Sequence, residues 1–302
     1  MTLFIIGNGF DLSTGYKTKY EHFKEYLSKN RSKYCLSGFP LLDILPSDNY
    51  EFWKDFEENL ATMPLTTLTF GYECKEKQSR KNKYIIDNLN AVLEKLYKII
   101  GNAFSDFIED ATKELKPMNK LFISRFASCD RFITFNYSLT LESVYGINDK
   151  NICYIHGVFL PFRKENEDNN NIIFGHSGDV LDNSNVQTLY YDNNEPEYLK
   201  KKIRESLTKQ LEIYEFERFI GKLNNYDEIQ IIGHSLGNVD KRYFEKLNTA
   251  ITPRIIYWQY VDSETFDEEK TKKKVKGLFP KVKCSIHFYN DSSLLKTIDV
   301  FS

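Results

Sequence analysis

Leu3-Phe4-Ile5-Ile6-Gly7-Asn8-Gly9-Phe10-Asp11 is the stretch on which the fold turns. Four consecutive apolar residues suit a parallel strand buried on both faces. The run stops at Gly-x-Gly. Such a turn bends the chain sharply and leaves backbone N–H groups uncovered for a phosphate. In open α/β sheets, ligands bind at strand ends of this kind. The letters therefore predict a first strand at residues 3–6 and a ligand loop made of Gly7, Asn8, Gly9 and Phe10. The dinucleotide fingerprint is incomplete, because Leu12 stands where a third glycine belongs. Nor does an acidic residue close a second strand about 20 residues on. A plain strand-to-loop turn that needs two glycines for its geometry fits the same letters.

Outward from that strand, short apolar runs recur at residues 131–135, 152–155, 172–174, 228–232, 254–260 and 283–288. Helical patterns separate most of them. This alternation predicts an α/β fold with a Rossmann-like, mainly parallel sheet and helices on both faces. One interval breaks the rhythm. Between the first two strands, residues 17–27, 50–61 and 82–115 carry apolar residues at helical spacing, as in Ile85, Leu89, Val92, Leu96 and Ile99. We read residues 1–302 as a single domain in which residues 17–116 form a large helical insertion, with loops at 37–46 and 63–81. Such a lobe would act as a lid over a ligand at the first strand's end. Residues 163–171 read as an exposed loop, and 197–223 return to helix.

The 302 residues are enough for a large core, and 41% are hydrophobic. Twenty Tyr and 23 Phe are read mainly as packing residues. Forty-one basic against 43 acidic residues leave a net charge of −2, so no global field draws the chain to nucleic acid or an anionic membrane. The lysine-rich stretch 270–283 follows Asp267, Glu268 and Glu269, which suits a solvated helix aligned with its dipole. The five cysteines are dispersed and form no Cys-x-x-Cys pair, so neither a metal site nor a disulfide framework is expected. Cys129 and Cys153 read as small core residues. Reduced thiols, no signal-like leader and no apolar stretch near the ~20 residues of a membrane span predict a cytoplasmic protein.

Four predicted strand ends deliver polar residues. They are Asn8 and Asp11; Thr134-Phe135-Asn136-Tyr137-Ser138; Ile155-His156-Gly157; and Gly233-His234-Ser235-Leu236-Gly237-Asn238-Val239-Asp240. In a parallel sheet these ends share one edge and can converge.

These landmarks resemble a family. Ile-Ile-Gly-Asn-Gly-Phe-Asp-Leu at 5–12, Thr18-Lys19-Tyr20 with Phe23, and Trp53 with Phe56-Glu57 and Leu60 are similar to the AbiH proteins of bacteriophage abortive infection. Thr-Phe-Asn-Tyr, Ile-His-Gly and Gly-His-Ser-Leu-Gly-x-x-Asp follow in that family's order. The resemblance implies a phage-defence role and a phage-derived activator. The same landmarks are similar to sirtuin-like NAD-binding domains. That likeness implies NAD as ligand or substrate, with no further cofactor required. It gives Gly7 and Gly9 the phosphate turn, Asn136 the catalytic asparagine and His156 the catalytic histidine. Ser138 stands where the sirtuin-like pattern usually has Asp, and no zinc-binding cysteine set is present. NAD glycohydrolysis is the activity implied.

The residues suit that chemistry. Cleavage of the nicotinamide–ribose bond passes through an oxocarbenium-like state. The Asn136 amide could hold a water or a ribose hydroxyl. His156 could accept a proton, since an ordinary imidazole titrates near neutrality. Asp11 could orient a ribose or a positive centre. Gly233, His234, Ser235 and Asp240 would form a second ligand loop, with Asp240 also bracing the next helix. Structural alternatives stand beside each role: a turn asparagine, a buried hydrogen-bonded imidazole and a helix-capping aspartate. Glu57 could reach the crevice or form a buried pair.

Two rival classes stay open. Gly233-His234-Ser235-Leu236-Gly237 matches the nucleophile elbow of serine hydrolases, with Asp262 and His287 downstream in the required order. Alternatively the crevice could sense a nucleotide or phage signal without turnover. Homo-oligomerisation through the aromatic-rich insertion is a further expectation.

Overall fold

The computed structural model describes residues 2–46, 48–60, 78–113, 126–157, 172–175, 201, 205–209, 213–223, 226, 228–250, 255–259, 267–280 and 286–289. The chain forms two compact units. The first joins Met1–Thr18, Ile108–Phe162 and Leu211–Ser302. The second joins Lys19–Phe107 and Arg163–Gln210.

The first unit is built on a six-stranded sheet. Its strands are β1 (Thr2–Ile6), β2 (Arg131–Thr134), β3 (Ile152–Tyr154), β4 (Glu228–Ile232), β5 (Ile255–Gln259) and β6 (Ile286–Tyr289). They lie in the order β3-β2-β1-β4-β5-β6. Every pairing is parallel. This is the 3-2-1-4-5-6 order of doubly wound dinucleotide folds. The strand order reverses between β1 and β4, which makes that seam the topological switch point.

The apolar letters of β1 explain its central place. Leu3 and Ile5 enter one core, with Ile133, Ile229 and Ile231 beneath helices α8 (Ile213–Ile220), α9 (Lys241–Ala250) and α10 (Glu268–Leu278). Phe4 and Ile6 enter a second core on the other face, with Phe132, Ile152 and Ile232. There they meet Phe10 of α1 (Asn8–Ser13) and Leu141 of α7 (Thr140–Ser143). A strand wedged between two cores has no wet face, hence no alternation. Asp130 pins the ladder's start: its carboxylate accepts from Thr2 N (3.0 Å) and Ala127 N (2.8 Å).

The second unit holds α2 (Tyr20–Lys29), α3 (Leu41–Ile44), α4 (Tyr50–Lys54), α5 (Phe56–Asn59) and most of α6 (Gln78–Thr112). Its core is aromatic. Phe23 meets Trp53, Phe56, Phe104 and Phe107 with ring centroids 5.1–6.2 Å apart.

Several expectations are corrected here. Residues 172–174 form no strand. The Phe174 ring stacks on Tyr97 of α6 at 4.2 Å, and its carbonyl accepts from the Tyr97 hydroxyl at 3.2 Å. Packing and a side-chain bond satisfy this apolar run in place of a ladder. The stretch 37–46 is not all loop. Cys35–Leu36 pairs with Phe39–Pro40 as a small hairpin, and α3 follows. Ser37 and Gly38 both take positive φ (53° and 88°), as a two-residue hairpin turn demands. Tyr50–Lys54 and Phe56–Asn59 are two short helices that meet at Asp55, whose φ of −119° and ψ of 52° interrupt the turn. Cys129 is exposed, not core. Residues 63–77 and 163–171 lie outside the described residues.

Candidate functional site

The seam between β1 and β4 is closed by glycine. Gly7 N donates to Ile232 O (2.9 Å), and Gly9 N donates to Gly233 O (2.8 Å). A Cβ on Gly7 would lie 2.5 Å from His234 Cα, and one on Gly9 would lie 2.6 Å from Gly233 Cα. Gly233 itself has φ +64°, and its Cβ would lie 2.5 Å from Gly9 Cα. Three glycines thus let two backbone turns touch. The expectation that Gly7 and Gly9 leave uncovered amides is overturned, because both N–H groups are spent on β4's end. Phe10, expected at the ligand, is fully buried in the second core against Tyr145. Asn8 is a clamp. Its Oδ1 accepts from Thr18 Oγ1 (2.6 Å), and its Nδ2 donates to Thr18 O (3.1 Å). That closes the turn after α1.

Beside this seam the ends of β2 and β3 carry a different set of groups. Phe135 N donates to Ile6 O and Ile155 N to Thr134 O, both at 2.9 Å, so the ladder continues into these loops. Asn136 follows, buried, its backbone N–H donating to Thr134 Oγ1 (3.1 Å). Neither its Oδ1 nor its Nδ2 has a hydrogen-bond partner. Two residues on, Ser138 Oγ donates to Asp11 Oδ2 (2.6 Å) and pairs with Thr140 Oγ1 (2.8 Å). A carboxylate from α1 therefore lies against this loop at Ser138.

Asp11 is fully buried, and its Oδ1 has no partner. Burial lifts its pKa from 3.8 to about 6. The hydroxyls of Ser138 and Thr140 and the neighbouring Asn136 amide oppose the rise. Asn136 stands close enough for that effect, yet outside hydrogen-bonding geometry. Burial first, and then the Asp11 charge, push the Tyr16 phenol up to about 12.

His156 and His234 share one carboxylate. His156 Nε2 lies 2.9 Å from Asp240 Oδ1, and His234 Nε2 lies 3.4 Å from Asp240 Oδ2. His234 Nδ1 accepts from Leu236 N–H (2.8 Å), so in the neutral ring Nε2 carries the proton. In the neutral ring, with Asp240 holding the Nε2–H of His156, Nδ1 carries the lone pair, and Nδ1 has no partner. Phe135 packs edge-on against both rings, with centroids 5.4 Å and 4.3 Å away. Asp240 thus does more than brace α9: it orients two imidazoles.

An unmatched buried polar atom costs roughly 1–3 kcal/mol. Asp11, Asn136 and His156 together leave four such atoms. Cores rarely keep them without a use.

A family model described as bacteriophage abortive infection AbiH matches residues 3–262. The chain belongs to the AbiH family. The matched span takes in β1 to β5 and every site residue from Gly7 to Asp240. No curated protein and no solved structure matches this AbiH chain.

The elbow geometry is absent from this AbiH chain. A nucleophile elbow strains its serine backbone, whereas here the left-handed residues are Gly233 (φ 64°) and Leu236 (φ 52°) on either side of Ser235. Ser235 is exposed, and its carbonyl accepts from Lys274 Nζ (2.9 Å). Asp262 lies outside the described residues, as does the side chain of His287.

In the second unit, Glu57 forms a buried pair. Its carboxylate meets Lys209 Nζ at 2.7 Å and accepts from Tyr20 Oη at 2.6 Å. Sequence reading missed Lys209 entirely, since a lone lysine in a polar stretch gives no sign of burial. No group of three or more His, Cys, Asp or Glu among the described residues could hold a metal ion.

Proposed function

We propose that this AbiH protein binds a nucleotide of the NAD class at the ends of β1, β2 and β3 and hydrolyses its N-glycosidic bond. The observation that carries the reading is that the amide of Asn136 and Nδ1 of His156 are both unmatched and both buried at the carboxyl edge of a 3-2-1-4-5-6 sheet.

In this reading Asn136 holds the attacking water or a ribose hydroxyl. As the bond from ribose C1′ to the nicotinamide nitrogen breaks, the electron pair leaves with the ring, which departs neutral. Water adds to C1′, and His156 Nδ1 takes its proton. Asp240 stabilises the imidazolium that forms, as the acid of a hydrolase triad does. The products are ADP-ribose, nicotinamide and one proton. NAD supply fits a cytoplasmic location, and no helix among the described residues is long and apolar enough to cross a membrane.

Abortive infection requires silence until infection. The resting site suits that need, because solvent does not reach the unmatched atoms. A phage-derived component is the proposed activator.

The test is nicotinamide release from NAD by purified protein, with and without extract from phage-infected cells. Release that disappears in Asn136→Ala and His156→Ala, each with an unchanged melting profile, supports the enzyme. Saturable NAD binding without release in either condition would make the site a sensor. Absence of both would end the NAD reading.

A further inference from the structure

His234, expected at the ligand, has both of its nitrogens engaged by the protein. Nδ1 accepts from Leu236 N–H at 2.8 Å, and Nε2 lies 3.4 Å from Asp240 Oδ2. The ring is buried, with the rings of Phe135 and Phe244 centred 4.3 Å and 5.3 Å away. A proton on Nδ1 would meet the Leu236 N–H, so the single proton of the neutral ring sits on Nε2, on the side of the carboxylate.

His156 is the opposite case. Its Nε2 lies 2.9 Å from Asp240 Oδ1, and its Nδ1 has no partner. Asp240 is the one polar hold on this ring among the described residues. Whatever fixes the Asp240 carboxylate therefore fixes His156. A carboxylate held through one oxygen can still turn about its last torsion, which is broad and two-fold. Held through both oxygens, by rings from the ends of β3 and β4, it cannot turn without losing a bond. Asp240 is buried, so little water is at hand to replace that bond.

The geometry points to His234 as the positioning residue of this edge: pinned by Leu236 N–H, it holds Asp240 Oδ2 and so keeps Oδ1 on His156. The expected ligand contact gives way to a role exerted through a second residue. The chemistry this serves at His156 rests on the nucleotide reading above. The hold on Asp240 rests on the distances alone.

The experiment follows isotope-labelled histidine rings by NMR in the full chain. Five histidines give few enough ring signals to assign each by substitution. At mildly alkaline pH, His156 and His234 of the wild type should both carry their proton on Nε2, and that of His156 should exchange slowly with water. Two replacements separate the two bonds of His234. His234→Gln places an amide N–H near the position of Nε2 and has no acceptor at that of Nδ1. His234→Asn places an acceptor near Nδ1 and is too short to reach Asp240. Exchange of the His156 proton should rise about tenfold in His234→Asn and stay within about twofold of wild type in His234→Gln, as loss of one hydrogen bond to a charged group implies. The reverse order makes His234 a staple for the Leu236 turn and overturns the inference. So does no change in either variant, or an equal rise in both. Should neither variant fold, the wild-type rings decide alone: a proton on Nδ1 of either one overturns the inference. None of these readings needs a substrate. Where NAD is cleaved, His234→Asn should lower kcat about tenfold and leave KM within about twofold. A change in KM alone returns His234 to the ligand and overturns the inference. If the wild type cleaves no NAD, the nucleotide reading falls, and the spectra still decide the hold on Asp240.

Discussion

The β1–β4 seam and the β2–β3 loops occupy the same edge of one sheet and are built by opposite rules. At the seam, Gly7, Gly9 and Gly233 bring backbone to backbone, and the amides of Gly7 and Gly9 are matched. In the loops beside it, Asn136 and His156 are buried with polar atoms unmatched, as is Asp11 of α1, which Ser138 of the β2 loop holds. The seam minimises free energy. The loops hold it in reserve. In the glycine turn, the feature that most suggests a ligand in the letters, the amides of Gly7 and Gly9 are already bonded to the end of β4. The proposed site lies one strand over.

The largest effect should come from breaking the seam. Gly233→Ala forces a Cβ against Gly9 and strains a left-handed backbone. A loss of about 3 kcal/mol is expected, from overpacking with strain added, and a urea melt should move to a lower midpoint. An unchanged midpoint would show that the two turns are free to part.

The next effect is a pH slope. Asp11 titrates near 6 when folded and near 3.8 when not. Between those values the folded state holds more protons, so stability is full below about pH 4 and declines as pH rises through 6. The decline is at most about 3 kcal/mol, at 1.36 kcal/mol per pKa unit. Glu142, lifted to about 7 by burial, adds a slope of the same sign. The wild type must therefore be compared with Asp11→Asn. The difference between their stability curves from pH 4 to 7 isolates Asp11, and a flat difference would contradict its burial without a cation.

Asn136→Ala sharpens the contrast in another way. It removes two unmatched atoms, so stability should hold or rise by up to about 1 kcal/mol, measured as the change in melting midpoint. Nucleotide binding should fall meanwhile. A strong destabilisation would place Asn136 with the seam, as a structural residue. The smallest effect belongs to Ser235. It is exposed, so Ser235→Ala should stay within about 0.5 kcal/mol. An active-site phosphonate should leave Ser235 unlabelled in a mass-spectrometric digest, and labelling would restore the elbow.

Much of this edge was legible in advance. Leu3 to Ile6 announced a strand between two cores, and Arg131, Ile152, Glu228 and Ile255 each open strands close to where apolar runs predict them. Asn136 and His156 follow strands in the letters and do so in the structure. Other features were hidden. Nothing local separates the run at 172–174 from a strand, because its partner is Tyr97, far along the chain. The Glu57–Lys209 pair joins residues 152 positions apart. Gly233 read as part of a second ligand loop, or in the rival reading of an elbow, and nothing in the letters showed that its missing Cβ is needed by Gly9.

The sequence by itself determined the class of fold, the strands and which strand ends carry polar residues. Those properties follow from hydrophobic runs and glycines, which act over a few neighbouring residues. Tertiary structure decided which polar groups are satisfied. Gly7 and Gly9 lost their free amides to a turn more than two hundred residues away, while Asp240 gathered two histidines from different strand ends. A hydrogen bond needs both partners within about 3 Å, and only the folded chain fixes which partners meet.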